Sequence, residues 1–333
     1  MPDVVCLGEV IIDMIAMDSD VGLGGTRAFY KSPGGATANV AVGVCRLGGS
    51  SRFLGVVADD PFGRYLLDAL KTEGVDTAFM KTRSGERSVV GFIARNSDQS
   101  KDVIFYRDPQ SEMFLLPDEI NLNMFDSAQI LHFGIICLRT EQKLSATQKA
   151  VQMAREKGLL ISFDLNYRPH AWPSCQFAQE RLLTILSQID ILKMAEEELP
   201  LLFPQMNEKT AIDMLLEKGV NIVIISRGER GSSLFRKEFK IDSPPFRVEA
   251  VETTGAGDTF MAGMLVGITK KNTRGEGRPR DNFLNKNEMK VRADLMECMP
   301  FANAAGALTC TRPGAIIAIP SREEIKEKFN LKV

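Results

Sequence analysis

The chain has 333 residues, 44% hydrophobic and 25% charged, enough for one large domain of ordinary core size with a small appendage. Its 41 basic and 43 acidic residues give a formal net charge of −2, which leaves no basic face for nucleic acid and requires any anionic ligand to be held by local groups. Two histidines (His132, His170) and six scattered cysteines without a C-x-x-C pair argue against zinc, make a Ser-His-Asp hydrolase hard to build, and fit buried, reduced thiols.

The chain opens Met-Pro-Asp without a basic leader, and no apolar run approaches the roughly 18 residues of a membrane span, so a cytoplasmic protein with no membrane partner is expected. Residues 4–10 read as a buried strand, with Asp13 close behind it. Residues 21–31 read as loop and short strand, and Pro33-Gly34-Gly35 as a turn. The Ala/Val-rich run 36–47 predicts a buried helix stopped by Gly48-Gly49, followed by a strand over 51–57. Phe62, Tyr65, Leu66, Ala69 and Leu70 share one face of an amphipathic helix that Gly74 ends. Residues 88–95 and 103–107 predict a hairpin.

From Ala128 onward the rhythm changes. Apolar runs at 128–133, 159–164, 189–192 and 221–226 alternate with helical patterns at 141–157, 177–187, 196–203 and 211–218. Such alternation predicts an α/β doubly wound, mostly parallel sheet, whose ligands lie beyond the carboxyl ends of the strands. Asp13, Asn166, Arg168 and Arg227 each fall just after a predicted strand, and so are expected on one rim. Residues 270–290 are polar, with Gly and Pro and no apolar period, and predict a solvated surface loop.

Residues 251–260 read Val-Glu-Thr-Thr-Gly-Ala-Gly-Asp-Thr-Phe, and an apolar helix follows. Small residues at 255–257 let a ligand approach the backbone, and the free N–H groups of the first helical turn attract anions. Asp258 in that turn has a plain structural reading as a favourable first-turn acid. Capping alone does not require three small residues before it. A phosphate cradle with an acid beside it suits phosphoryl transfer to a hydroxyl, with the acid as base; an Asp near its ordinary pKa of about 3.9 is ionised at neutral pH. The pattern is neither a dinucleotide fingerprint nor a Walker loop.

Thr-Thr-Gly-Ala-Gly-Asp-Thr-Phe resembles the C-terminal signature of the ribokinase-like (PfkB) carbohydrate kinases. Pro33-Gly34-Gly35-Ala36-Thr37-Ala38-Asn39-Val40-Ala41, with Leu47-Gly48 and Gly63, resembles the N-terminal one, about 220 residues earlier. The resemblance covers essentially the whole chain, to Arg312, Gly314 and Pro320. It implies a ribokinase-like core (1–12, 32–82 and 111–333) with a small β lid (13–31 and 83–110) that excludes water and often pairs between subunits, hence a homodimer.

By the same resemblance Asp258 is the base, and the amides of Gly255, Ala256 and Gly257 are the anion hole. Asp13, Gly34, Gly35 and Asn39 bind sugar. Asn166, Ser226, Gly228, Gly231 and Asn303 serve the nucleotide. The family's Asn-x-x-Glu motif falls on 195–198, with Ala195 in place of Asn, so only Glu198 carries over as a magnesium-side residue. ATP and Mg²⁺ are implied. K⁺ is an open option, because Glu252 stands where Asp is commoner and Ala318 lacks a side-chain oxygen.

Gly8-Glu9-x-x-x-Asp13, Phe105-Tyr106-Arg107-Asp108-Pro109 with Ser111-Glu112-Met113, and Asp164-Leu165-Asn166-Tyr167-Arg168-Pro169 with Trp172 are similar to fructokinases; the first and last are also similar to 2-keto-3-deoxygluconate kinases. Arg107 and Arg168 are suited to bidentate bonds with sugar oxygens or with a sugar acid's carboxylate. The expectation is phosphorylation of D-fructose to fructose 6-phosphate. A 2-keto-3-deoxygluconate kinase, then a ribokinase or nucleoside kinase, are alternatives, and a catalytically silent binding protein of the same fold is the non-enzyme one.

Overall fold

In the computed structural model, residues 1–95, 101–107, 112–272 and 277–331 are described. Residues 96–100, where a turn is expected, residues Asp108, Pro109 and Ser111 of the stretch noted above, and 273–276 lie outside them. In chain order the strands are β1 (Val4–Leu7), β2 (Ile11–Ala16), β3 (Phe29–Gly34), β4 (Ser51–Leu54), β5 (Val56–Ala58), β6 (Lys81–Arg83), β7 (Val90–Arg95), β8 (Lys101–Tyr106), β9 (Ile130–Gly134), β10 (Leu160–Asp164), β11 (Ile191–Ala195), β12 (Ile222–Ser226), β13 (Ser232–Phe235) and β14 (Lys240–Ser243). The helices are α1 (Gly22–Gly25), α2 (Ala36–Arg46), α3 (Pro61–Thr72), α4 (Glu141–Glu156), α5 (Cys175–Leu183), α6 (Glu198–Leu202), α7 (Glu208–Glu217), α8 (Ala256–Lys271), α9 (Pro279–Leu284), α10 (Glu288–Thr309) and α11 (Arg322–Phe329).

The large sheet runs β14-β13-β12-β11-β10-β9-β1-β4. It is parallel from β4 to β12, with β13 and β14 antiparallel at one edge. Because side chains alternate along a strand, each strand feeds two cores. Val5, Ile161 and Val223 face one cluster; Val4, Leu160 and Ile222 face the other. This is the doubly wound, mostly parallel α/β sheet expected from the strand–helix rhythm.

Helix α8 lies inside the second core between α2 and α10. Small residues set the spacing. A side chain at Gly43 of α2 would bring its first carbon 2.7 Å from the Ala262 Cβ, and one at Gly263 of α8 would come 2.9 Å from the Ala302 Cα of α10. A helix apolar on every side is a buried helix, and this one carries Asp258 on its first turn.

A second sheet, β3-β2-β7-β8, stands apart from the large one. Its attachment is specific. Asp60 caps α3 by accepting the Gly63 N–H at 2.6 Å, and also accepts the Ser88 N–H at 2.9 Å just before β7. Gly63 is required there, since a side chain would come 1.9 Å from the Ala58 carbonyl oxygen.

Three expectations change. Asp13 is not on the rim of the large sheet: β1 ends at Leu7, the chain turns at 8–10, and Asp13 sits within β2 of the small sheet. The small sheet begins at Ile11 and its β3 runs to Gly34, beyond the 13–31 expected. The segment 270–290 is not simply a solvated loop. Helix α8 continues to Lys271 and α9 covers Pro279–Leu284, anchored by Phe283, which is fully buried against the second core.

Candidate active site

Gly255 adopts a left-handed φ of 80° and starts α8. A side chain there would come 3.2 Å from the Ala315 Cα, so the turn is shaped by a neighbouring segment as well as by its own residues. The Ala256 N–H of that turn is taken by the Thr253 carbonyl at 3.2 Å, so of the three amides expected to form an anion hole only those of Gly255 and Gly257 remain for it. Asp258 follows them and is buried. Its Oδ2 accepts a 2.7 Å hydrogen bond from Asn39 Nδ2, on the first turn of α2. The Oδ1 of the same Asn39 is buried without a partner. One amide side chain therefore steadies the acid and offers an unsatisfied acceptor beside it.

Asp13 closes the other side. Its carboxylate occupies the space where a side chain on Gly34 would be, 2.0 Å from Oδ2, and Gly35 must lack a side chain because the Glu9 carbonyl lies 2.4 Å from its would-be Cβ. Asp13, Gly34, Gly35 and Asn39 thus form one corner, next to Asp258. Burial, then the charges of Asp258 and Glu252, push the Asp13 carboxyl up to about 7 against the pull of Arg95. Burial, then Asp164, push the Asp258 carboxyl up to about 6, opposed by the Asn39 hydrogen bond, Lys193 and Arg168.

Lys193 was not anticipated. It sits in β11, buried, with its Nζ 3.1 Å from both oxygens of Asp164 at the end of β10. The same Nζ lies 2.9 Å from where a Cβ on Gly257 would be, directly against the 255–257 turn. Asp164, then Glu198, then Asp258 favour its charged form against burial. The signal was in the sequence: a lysine inside Ile-Leu-Lys-Met-Ala, a strand of a parallel sheet buried on both faces, must have a partner.

Glu198 starts α6 and is buried. Its Oε2 accepts the Ala195 N–H at 2.8 Å, and Arg168, largely exposed, approaches its Oε1 at 3.4 Å. Burial raises its carboxyl, with Asp164 adding to the shift and Lys193 opposing it. Asn166 follows β10 with a left-handed φ of 36°.

Arg107 goes elsewhere. Its two terminal nitrogens form a bidentate pair with Glu9 at 2.7 and 2.9 Å, and Lys143 reaches the same carboxylate at 2.7 Å. The paired cations hold Glu9 well down, to about 2, despite its burial. Arg227 is likewise committed, to Glu196, Glu208 and Ser233.

Ser226 ends β12, and Gly228 and Gly231 turn the chain with positive φ. A side chain on Gly231 would come 2.2 Å from the Ser243 carbonyl oxygen. Asn303 of α10 donates to Ser243 and Pro244, so it braces the segment against which Gly231 packs.

The residues at the possible monovalent-cation position do not fit such an ion. Glu252 is paired with Arg95 and accepts the Gly314 N–H at 2.7 Å, and Ala318 brings no side-chain oxygen. Among the described residues no three acidic, histidine or cysteine side chains converge as a metal-binding group, and no helix is long and apolar enough to cross a membrane.

A family model described as pfkB family carbohydrate kinase matches residues 1–322. Probable fructokinase-4 of Arabidopsis thaliana is 37% identical over 325 residues, 97% of this chain and 95% of that protein. Fructokinase-1 of Zea mays is 35% identical over 323 residues, 97% and 96% of the two chains. The crystal structure of a fructokinase with bound ATP from Xylella fastidiosa superposes with a TM-score of 0.86 at 28% identity, covering 99% of each chain.

Proposed function

This chain belongs to the pfkB family of carbohydrate kinases, a sugar kinase whose ligands are a sugar and ATP, and from that premise we propose that it transfers the γ-phosphoryl group of ATP to the 6-hydroxyl of D-fructose. The observation that carries this reading is the Asn39–Asp258 pair: a buried carboxylate at a helix N-terminus, with an unpartnered acceptor beside it. Asp258 takes the proton of the attacking hydroxyl as its oxygen bonds to phosphorus, and the electrons of the broken P–O bond leave with ADP. The amides of Gly255 and Gly257 and the Lys193 ammonium oppose the charge on the moving phosphoryl group. Asp13 and Asn39 accept from sugar hydroxyls, and Gly34 and Gly35 let the ring approach the backbone.

Ser226, Gly228 and Gly231 shape the nucleotide side with Asn166, and Asn303 braces the segment against which Gly231 packs. Magnesium fits this pocket through a charge argument. Asp164, Glu198 and Asp258 surround one lysine, so negative charge is left over. Glu198 would take the ion's side of the pocket; a divalent ion bound mainly by phosphate oxygens and water supplies charge neutralisation there.

Fructose is favoured over a sugar acid because Arg107 is spent on Glu9, which leaves Arg168 alone to meet a carboxylate. An ADP-release assay across fructose, ribose, glucose and 2-keto-3-deoxygluconate is expected to give fructose the highest kcat/KM. A win for the keto acid overturns the substrate assignment and leaves the base in place. A homodimer through the small sheet fits its exposed edge strand β8, where Ile104 and Tyr106 face outward.

The raised carboxyls set a pH dependence. Both Asp258 and Asp13 must be ionised to act, and their carboxyls stand at about 6 and about 7. The expected profile of kcat/KM for sugar therefore falls as pH drops through 7 to 6, as one broad limb belonging to the pair. A profile flat down to pH 5 contradicts it.

A further inference from the structure

The small sheet is fastened to the large domain by an arginine at each end of its β7–β8 hairpin. At the base, Arg107 follows β8 and holds Glu9. At the far end, Arg95 closes β7 and forms an ion pair with Glu252, 157 residues later.

Glu252 is an unusual partner. Its side chain is only 2% exposed, and its two oxygens have separate duties: one meets Arg95, the other accepts the Gly314 N–H at 2.7 Å. Its own N–H and that of Val251 are bound to the Cys310 carbonyl. Gly255, three residues on, packs against Ala315. The carboxylate is thus a junction between the small sheet, the 310–315 segment and the turn that presents the amides of Gly255 and Gly257. Were the sheet to lift, Arg95 would leave and an uncompensated charge would remain buried beneath that turn, a state strongly disfavoured.

We propose that Arg95 is a positioning residue whose ion pair with Glu252 sets the phosphoryl-binding turn only when the small sheet is down over the sugar. The inference rests on the assignment of the Gly255 and Gly257 amides and Asp258 given above. Arg95 touches no substrate in this account. It makes closure of the sheet and assembly of the phosphate-binding amides one event, so phosphoryl transfer to water is suppressed while the sugar corner is open.

The test compares Arg95→Met, Glu252→Gln and the double variant, with Asp258→Asn measured alongside. Arg95→Met is expected to lower kcat at least tenfold while calorimetric affinities for fructose and ATP stay within about threefold. Gln at 252 still accepts the Gly314 N–H but carries no charge, so adding Arg95→Met to Glu252→Gln is expected to change kcat less than threefold. That second comparison decides the matter even where Arg95→Met does not fold. Wild-type kcat in Arg95→Met overturns the proposal, as does a further tenfold loss when Arg95→Met is added to Glu252→Gln, or a loss confined to KM. An active Asp258→Asn sinks the underlying site assignment instead, whatever the Arg95 variants do.

Discussion

Asp258→Asn is expected to lower turnover by about 10²–10⁴-fold, a barrier increase of about 2.7–5.4 kcal/mol, with sugar affinity by calorimetry changed only a few fold. The side chains are nearly the same size, so the packing of α8 between α2 and α10 is kept. What is lost is the acceptor for the hydroxyl proton. Unfolding does not explain such a loss, because the variant removes a charge that burial and Asp164 already disfavour. Its thermal stability at pH 7 should equal or exceed that of the parent. Turnover close to wild type refutes the base assignment.

Lys193→Met is the second large effect. It removes the ammonium that faces Gly257 and leaves Asp164 without its cation. Breaking a buried pair in this way costs about 3–5 kcal/mol of stability. A loss of turnover of about 10²-fold or more is expected, and the acid limb of the pH profile should move upward, since Lys193 is one of the groups that lowers the Asp258 carboxyl. The double variant Lys193→Met with Asp164→Asn separates the two consequences. It removes the Asp164 charge together with the cation paired to it and should recover most of the stability, yet remain slow. Recovery of turnover along with stability means that the lysine is only a structural counter-ion.

The legible parts of this molecule are those written locally. Three small residues before an acid and an apolar helix are contiguous, so the turn at 255–258, which we propose binds the phosphoryl group, can be read directly as a helix start. The doubly wound sheet is legible because apolar strands and helical periods alternate from Ala128 onward. Assignments that depend on distant partners could not be made this way. Arg107 read as a free donor because its partner, Glu9, lies 98 residues earlier. Asp13 read as a rim residue because the break after Leu7 is only three residues long, and a strand and its continuation look alike at that scale. Helix α9 was hidden by its polarity: six residues with one buried aromatic carry no detectable period. Lys193, by contrast, was available as an anomaly of charge in an apolar strand.

The glycine seams around α8 bear on how such an enzyme can change. With Gly43 and Gly263 at closest approach to their neighbours, the helix bearing the proposed base has no slack on either flank, and one added methyl at Gly263 pushes it off its seat. Variation in substrate choice then has to be written in the detachable part, on β2, β7 and the residues that line them, while the chemical end is inherited unaltered. A library randomised along those two strands should yield new sugar preferences at undiminished maximal rate. One randomised along the helix seams should yield slow enzymes of unchanged preference.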